Sequence, residues 1–269
     1  MIKLIAIDLD GTLLTDRKEI QPATLDALND VVKSNYIICL ATGRPLSGTD
    51  EYAQTIYERT GYKPYLIVNG GAQIGRYQQK DWIAEFPLDH EAFLTFSKLS
   101  VDLRIAITYH SDYCAYVHDP YIRQPLIQDC SITREAIQYC PLNQFDPSRL
   151  FNRYEFIDEE EVINRTLPLI PDALFERYSI LVTDPTCIEI LPKSVTKGSG
   201  LAVLTKHIGI SLHETLVIGD NNNDLAIMEC AGIGVAMENS VERIKDLADF
   251  VTLDNNHNGV AHALKHFLA

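Results

Sequence analysis

Short apolar runs that end abruptly in small polar or charged residues recur along this chain. Ile2 to Ile7 is the first: rich in β-branched residues and too short for a helix, it reads as a strand buried on both faces in the middle of a parallel sheet. It runs straight into Asp8-Leu9-Asp10-Gly11-Thr12. Tyr36 to Ala41 runs into Thr42-Gly43-Arg44-Pro45, and Tyr65 to Val68 into Asn69-Gly70-Gly71. Thr215 to Ile218 runs into Gly219-Asp220-Asn221-Asn222-Asn223-Asp224. Helical patterns lie between these runs. Pro22 suits the first position of a helix reaching Lys33, with Leu25, Leu28 and Val32 at helical spacing. Ser47 to Arg59 reads as a helix closed by Gly61, and Leu201, Leu204 and Ile208 mark one whose first turn holds Lys197 and Gly198. Helix Leu225 to Cys230, strand Ile233 to Met237, helix Ser240 to Ala248, strand Phe250 to Leu253 and helix Val260 to Leu268 continue the alternation. It predicts a parallel sheet with helices on both faces. Ligands of such sheets bind outside the carboxyl ends of the strands, so Asp8, Thr42 and Asn69 are expected to meet at one edge.

The middle of the chain reads differently. Ala72 to Tyr77 and Trp82 to Phe86 look like a hairpin leading out of the sheet. Phe93, Phe96 and Leu99 mark a helix, and Leu103 to Tyr109 with Tyr113 to His118 an antiparallel strand pair. Pro120, Pro125, Pro141 and Pro147 punctuate an irregular stretch, and Asp158 with Glu161 forms a capping box before a helix. Ser179 to Thr183 and Cys187 to Leu191 are two more strands. Residues 88–192 are read as an inserted α+β domain within a core of 1–87 and 193–269.

Composition narrows the partners. The 269 residues are 46% hydrophobic and 22% charged, enough to bury a real core. A net charge of −14 repels nucleic acid and anionic membrane alike, so neither is an expected partner. It repels phosphate esters too, so an anionic substrate needs a local positive pocket or a metal. No apolar run approaches the roughly 18 residues of a membrane span. The six cysteines include no Cys-x-x-Cys pair, and the expectation is a reduced, cytoplasmic protein, monomer or homodimer.

The polar ends carry the candidate chemistry. Two carboxylates one residue apart do not belong inside a buried strand, where desolvation costs several kcal/mol per ion. At the strand's end, Asp8 and Asp10 can both reach one small ligand. A carboxylate that attacks a phosphate ester forms an acyl phosphate, provided a cation and a lysine offset the repulsion between the anions. A second carboxyl can protonate the leaving alkoxide and then take a proton from water, typically worth about 10²–10⁴ in rate. Asp220 and Asp224 add hard oxygens that suit Mg²⁺. Lys197, at a helix N-terminus, adds positive charge where the backbone already favours anions. Thr42, the Gly43 N–H and Asn69 offer uncharged donors.

This set resembles the haloacid dehalogenase-like hydrolases. Asp8-x-Asp10-Gly11-Thr12 is similar to the family's first motif and Thr42-Gly43-Arg44 to the second. Lys197-Gly198 is similar to the third, and Gly219-Asp220-x-x-Asn223-Asp224 to the fourth. The resemblance covers the whole chain and is nearest to the Cof-type subfamily with a large α+β cap, above all the YidA-type sugar phosphatases. It implies an α/β, Rossmann-like core with the cap inserted. It implies Asp8 as nucleophile, Asp10 as acid–base, and Mg²⁺ held by Asp8, the Asp10 carbonyl and Asp220 with Asn223 and Asp224 in support. Lys197 and Thr42 would bind the phosphoryl group of a small phosphorylated metabolite, with the Gly43 N–H and Asn69 the further donors that the residues themselves offer to it. Asp at position 10, where phosphoryl-transferring relatives such as ion pumps carry Thr, favours hydrolysis. Glu238 departs from the family, which usually has Gly there, and is expected only to alter a loop.

Two rivals stay open at this stage: a sugar phosphomutase with the same cap, and a catalytically silent phosphosugar sensor. Arg44 reads as well as a loop residue as a catalytic one. His262 and His266 have zinc-like spacing but no third ligand nearby, so they read as a surface helix face. Glu159 to Glu161 reads as a helix-start charge run, and Cys130 and Cys140 as plain thiols. Tyr109, His110, Tyr116 and Arg123 are the inserted residues polar or aromatic enough to touch a sugar.

Overall fold

The computed structural model describes residues 1–146 and 148–268; Pro147, one of the punctuating prolines, lies outside them. Internal packing divides the chain into two compact units. The first comprises Met1–Gly43, Thr49–Ala84 and Thr196–Ala269, the second Arg44–Gly48 and Glu85–Val195.

The chain begins with β1 (Leu4–Ile7), α1 (Pro22–Lys33), β2 (Ile37–Ala41), α2 (Asp50–Thr60), β3 (Tyr65–Val68), β4 (Gln73–Arg76) and β5 (Ala84–Glu85). There follow α3 (His90–Leu103), β6 (Ile107–His110), β7 (Cys114–Val117), α4 (Gln124–Thr133), β8 (Ala136–Tyr139) and β9 (Arg153–Ile157). Next come α5 (Glu160–Thr166), α6 (Asp172–Arg177), β10 (Tyr178–Asp184) and β11 (Cys187–Pro192). The chain closes with α7 (Lys197–Ile208), β12 (Thr215–Gly219), α8 (Leu225–Cys230), β13 (Ile233–Ala236), α9 (Glu242–Leu247), β14 (Phe250–Val251) and α10 (Gly259–Leu268).

The first unit is an α/β layer structure on one sheet ordered β14-β13-β12-β1-β2-β3-β4-β5. From β14 to β3 the pairing is parallel, as the strand–helix alternation predicts. β4 pairs antiparallel with β3. The expected exit hairpin therefore extends the sheet, because Gly70 and Gly71, both at positive φ, turn the chain back on itself. Leu4 and Ala6 pack with Leu201, Leu204, Ile227, Met228 and Ile244 of α7, α8 and α9. Ile5 and Ile7 point the opposite way and are as fully buried, so both faces of β1 are covered. α1 lies against α2 and α10. Its buried stripe is Thr24, Ala27, Leu28 and Val31, which leaves Leu25 and Val32 at the flanks. α2 starts at Asp50 rather than Ser47, because Ser47 is engaged elsewhere: its N–H donates to Asp112 O (3.1 Å) and its hydroxyl to Thr133 O (2.7 Å). Among the described residues no helix is long and apolar enough to cross a membrane.

The second unit holds a sheet ordered β10-β11-β9-β6-β7-β8, antiparallel except between β7 and β8. Period-two alternation sorts its faces. Ile107 and Tyr109 of β6, Tyr154 and Phe156 of β9, and Ile188 and Ile190 of β11 enter an aromatic core with Phe93, Phe96, Phe145 and Phe151. The opposite positions are Thr108 and His110, Arg153 and Glu155, and Glu189, all buried as well. Cross-strand register sets His110 against Arg153 and Glu155 against both Thr108 and Glu189. His110 Nδ1 lies 2.9 Å from Glu135 Oε1, and its Nε2 3.0 Å from Glu155 Oε2. Arg153 contacts Glu155 (3.2 Å), Glu135 (3.7 Å) and Glu189 (3.8 Å). Flanking carboxylates outweigh the cost of burial and push the His110 imidazole up to about 10, so it is an imidazolium at neutral pH. The Asp158–Glu161 capping box is not formed. The helix is capped at Glu159, and Asp158 accepts from the Glu159 N–H (3.0 Å) and from Arg123 Nε (3.4 Å).

Asp129 of α4 stands beside this layer and is pushed up to about 7, first by burial and then by Glu155. A carboxyl raised by folding keeps its proton longer in the native state, so stability falls as pH rises from about 4 towards 7. The raised His110 contributes full stability below its unfolded pKa and loses it only above that value. Urea midpoints between about pH 4.5 and 6.5 therefore report Asp129 together with the Asp8 and Asp220 carboxyls, which are raised as well, and exclude His110. Asp129→Asn is expected to make the decline shallower there, and an unaltered slope would assign it to the other two carboxyls.

Candidate active site

Three neighbouring parallel strands bring the site together. β12, β1 and β2 lie side by side and in parallel, so the residues after their carboxyl ends share one sheet edge. Those residues are Asp220, Asp8 and Thr42. α7 supplies the fourth corner. Thr196 and Ser199 form a reciprocal capping box at its start, which places Lys197 in the first turn. Gly71 (φ +109) allows β3's end to meet that turn, since a Cβ there would lie 2.1 Å from Thr196 O.

Lys197 Nζ stands 2.6 Å from Asp8 Oδ1 and 2.7 Å from Asp224 Oδ1, and Lys197 is only 1% exposed. Asp8, Asp220 and Asp224 offer carboxylate oxygens all within 4.8 Å of one another. Gly11 makes room for this, since at φ +74 a Cβ would lie 2.4 Å from Asp220 Oδ2. Thr12 donates to Asp220 Oδ1 (2.9 Å), and Asn239 Nδ2 donates to Gly11 O (2.8 Å). Three carboxylates thus face one ammonium. Burial, then Asp224 and Asp220, raise the Asp8 carboxyl well above the usual range against the pull of Lys197. Burial and Asp224 push Asp220 up to about 6. The two carboxylates hold the Lys197 ammonium well above the ordinary lysine value despite its burial. An oxygen-only donor set with excess negative charge fits a hard divalent cation.

The remaining expected site residues divide. Thr42 is buried, its N–H donating to Ile67 O (2.8 Å) and its carbonyl accepting from Gly70 N (3.1 Å). Gly43 neighbours Asn223, whose Nδ2 would lie 3.8 Å from a Cβ there. Asp224 is a brace as much as an oxygen donor: its Oδ2 accepts from the N–H groups of Asp220 (3.0 Å) and Asn221 (3.2 Å). The Asp10 carboxylate sits at the rim, paired with Lys18 Nζ at 2.6 Å. Lys18 carries no motif signal and is not among the residues read from sequence. Asn69 is fully buried at φ +49 and donates through Nδ2 to Gln73 Oε1 (2.8 Å). Glu238 lies exposed in the turn that carries Asn239.

Several second-choice residues acquire structural roles. Tyr109 is core, its hydroxyl 2.7 Å from Ser97 Oγ, and His110 belongs to the buried charged layer. Arg123 is paired with Asp119 (3.1 Å) and Asp158. Arg44 donates from Nη1 to Gly48 O and Ile132 O, each at 3.2 Å. His262 bonds Thr252 Oγ1 (2.9 Å), and His266 stacks on Phe250 at 4.3 Å. All six cysteines are free thiols.

Comparison with known proteins agrees with this geometry. The sequence profile of the haloacid dehalogenase-like hydrolases matches residues 5–264. YxeH of Bacillus subtilis, whose name is that of a phosphatase, is 31% identical over 98% of this chain and 97% of its own. The 5-amino-6-(5-phospho-D-ribitylamino)uracil phosphatase YcsE of the same organism is 26% identical over 99% of this chain and 96% of its own. A haloacid dehalogenase-like hydrolase from Bacteroides thetaiotaomicron has the same fold, with a TM-score of 0.89, full coverage of both chains and 24% identity. The chain therefore belongs to the haloacid dehalogenase-like hydrolases, in their Cof-type branch, and is a phosphatase.

Proposed function

We propose that the protein is a Mg²⁺-dependent phosphatase of small phosphorylated metabolites, sugar phosphates foremost, that works through an aspartyl-phosphate on Asp8. The observation that carries this reading is the Asp8 carboxylate held 2.6 Å from the Lys197 ammonium and within 4.8 Å of Asp220 and Asp224 oxygens. Asp8 Oδ attacks phosphorus, and the P–O bond to the substrate breaks. The alkoxide takes its proton from Asp10, once the Asp10–Lys18 pair has opened. Water then attacks phosphorus with Asp10 accepting its proton, and inorganic phosphate leaves with Asp8 restored. Lys197, held by Asp224, meets the charge on the phosphoryl oxygens, with Thr42 and the Gly43 N–H as neutral donors. Asp8, the Asp10 carbonyl and Asp220, with Asn223 and Asp224 alongside, would hold Mg²⁺. When bound it neutralises the carboxylate excess and polarises the phosphoryl group. The ribityl phosphate in the name of YcsE supports a polyol ester as substrate. The six free thiols suit a reducing, cytoplasmic setting.

A phosphate-release assay over sugar phosphates, nucleotides and cofactor phosphates tests the reading. Release of inorganic phosphate without an isomeric sugar phosphate is the expected result, and an isomer in place of phosphate would make the protein a mutase. Chelating the divalent cation should stop release, and added Mg²⁺ should restore it. An unchanged rate in chelator would remove the metal from the reaction.

A further inference from the structure

Lys18 meets Asp10 from a turn that carries no motif of its own. We propose that Lys18 is a positioning residue: it parks the Asp10 carboxylate at the rim in its ionised form, which opposes Asp10 as an acid and favours it as a base. The inference rests on the phosphatase reading above and deepens it. It says which phosphate esters the site turns over less readily, namely those whose alkoxide needs a proton in order to leave.

The turn is built to hold the lysine in place. Leu14 and Ile20 pair as an antiparallel bridge, and residues 15–19 form the tip between them. The Thr15 N–H donates to Glu19 O (3.0 Å) and the Lys18 N–H to Thr15 O (2.8 Å). Lys18 itself sits at φ +62, a left-handed conformation that residues other than glycine adopt mainly in tight turns. The tip is also tied to two other parts of the first unit. Tyr52 of α2 donates its hydroxyl to Lys18 O (3.3 Å). The Asp16 carboxylate accepts from Asn255 Nδ2 (3.1 Å) and Asn256 Nδ2 (3.0 Å), and the buried Asn255 donates to Leu14 O (3.0 Å) as well.

The contact sets Asp10 apart from the other acids. Among the described residues, Asp8, Asp220 and Asp224 converge within 4.8 Å, and Asp10 stands outside that group. Its side chain is 40% exposed, against 7% for Asp8, and its Oδ1 lies 2.6 Å from Lys18 Nζ. The bond from an ammonium is strongest to an ionised carboxyl, which accepts but has no proton to give. An exposed ion pair contributes little to stability, at most about a fivefold factor in an equilibrium. Its consequence therefore lies in where, and in which form, it leaves Asp10. Departure of an alkoxide needs the proton, so the pair must open first. Attack by water needs the ionised carboxylate, the form that Lys18 already favours.

The test compares ribose 5-phosphate, glucose 6-phosphate and glycerol 3-phosphate, which release alkoxides, with acetyl phosphate, whose acetate leaves without a proton. Lys18→Met keeps the side-chain length and removes the charge. The ratio of kcat/KM for the best alkyl ester to that for acetyl phosphate should rise by between about two- and fivefold, since kcat/KM covers events up to departure of the leaving group. Lys18→Arg keeps the charge and should stay within about twofold of the parent ratio. A smaller rise or a fall in Lys18→Met, or an equal rise in Lys18→Arg, would overturn the assignment and leave the phosphatase reading in place. If the parent releases phosphate from none of the four, it is the phosphatase reading that fails. The parking is then judged by the crystal structure of the Lys18→Met protein. An Asp10 carboxyl turned from the rim towards Asp8 supports it, and an unmoved carboxyl overturns it.

Discussion

Asp8→Asn is expected to reduce phosphate release by about 10⁴-fold or more, because an amide oxygen cannot form the acyl phosphate and no other group in the site replaces it. The fold should survive. Lys197 keeps Asp224 at 2.7 Å, and Thr12 keeps Asp220 at 2.9 Å. Thermal unfolding without divalent cation should occur at the same or a higher temperature, because the substitution removes one of three carboxylates packed within 4.8 Å. The pairing of lost activity with retained or improved stability distinguishes a nucleophile from a structural residue. Activity within about 100-fold of the parent would take Asp8 out of its role, as would a lowered melting temperature that explains the loss.

The second large effect lies in the buried charged layer of the second unit. His110→Ala should cost about 3–5 kcal/mol in denaturant unfolding, the range for removing one partner from a buried ion pair. The imidazolium stands between Glu135 (2.9 Å) and Glu155 (3.0 Å), and all three side chains are almost wholly buried. Without it Arg153 alone faces Glu135, Glu155 and Glu189, its contacts at 3.2 to 3.8 Å. A cost below about 1 kcal/mol would mean that water enters the layer and solvates the carboxylates. His110→Gln separates charge from shape: it fills similar space without a positive charge and should recover only a minor part of the loss.

These two expectations differ in how far they could be read from the sequence. Asp8, Thr42 and Asp220 were legible because each follows an apolar run too short to be anything but a strand, and parallel pairing places strand ends together. Asp10 was legible as a carboxylate but not as the partner of Lys18, since a lysine eight residues away in a loop leaves no pattern. Asn69 illustrates a limit of turn motifs. An asparagine before two glycines can serve a ligand or the turn, and its buried side-chain bond to Gln73, four residues on, leaves no pattern in the sequence. The charged layer was illegible for another reason. Arg153-Tyr154-Glu155-Phe156 alternates like a strand with one wet face, but α4 and the turn to Glu135 cover that face. Likewise the polar residues from Ser47 onward look helical, but the first of them hold Asp112 and Thr133 instead.

The division of packing between Gly43 and Arg44 bears on any attempt to shorten this protein. Excising 85–195 and splicing the ends would strip Arg44 of the Ile132 carbonyl and Ser47 of its acceptors at Asp112 and Thr133. A buried guanidinium and the unpaired polar groups of Ser47 would then open to solvent within five residues of Thr42. A minimal version of the enzyme therefore has to be redesigned at two places in the chain, at the excision and again at 44–48.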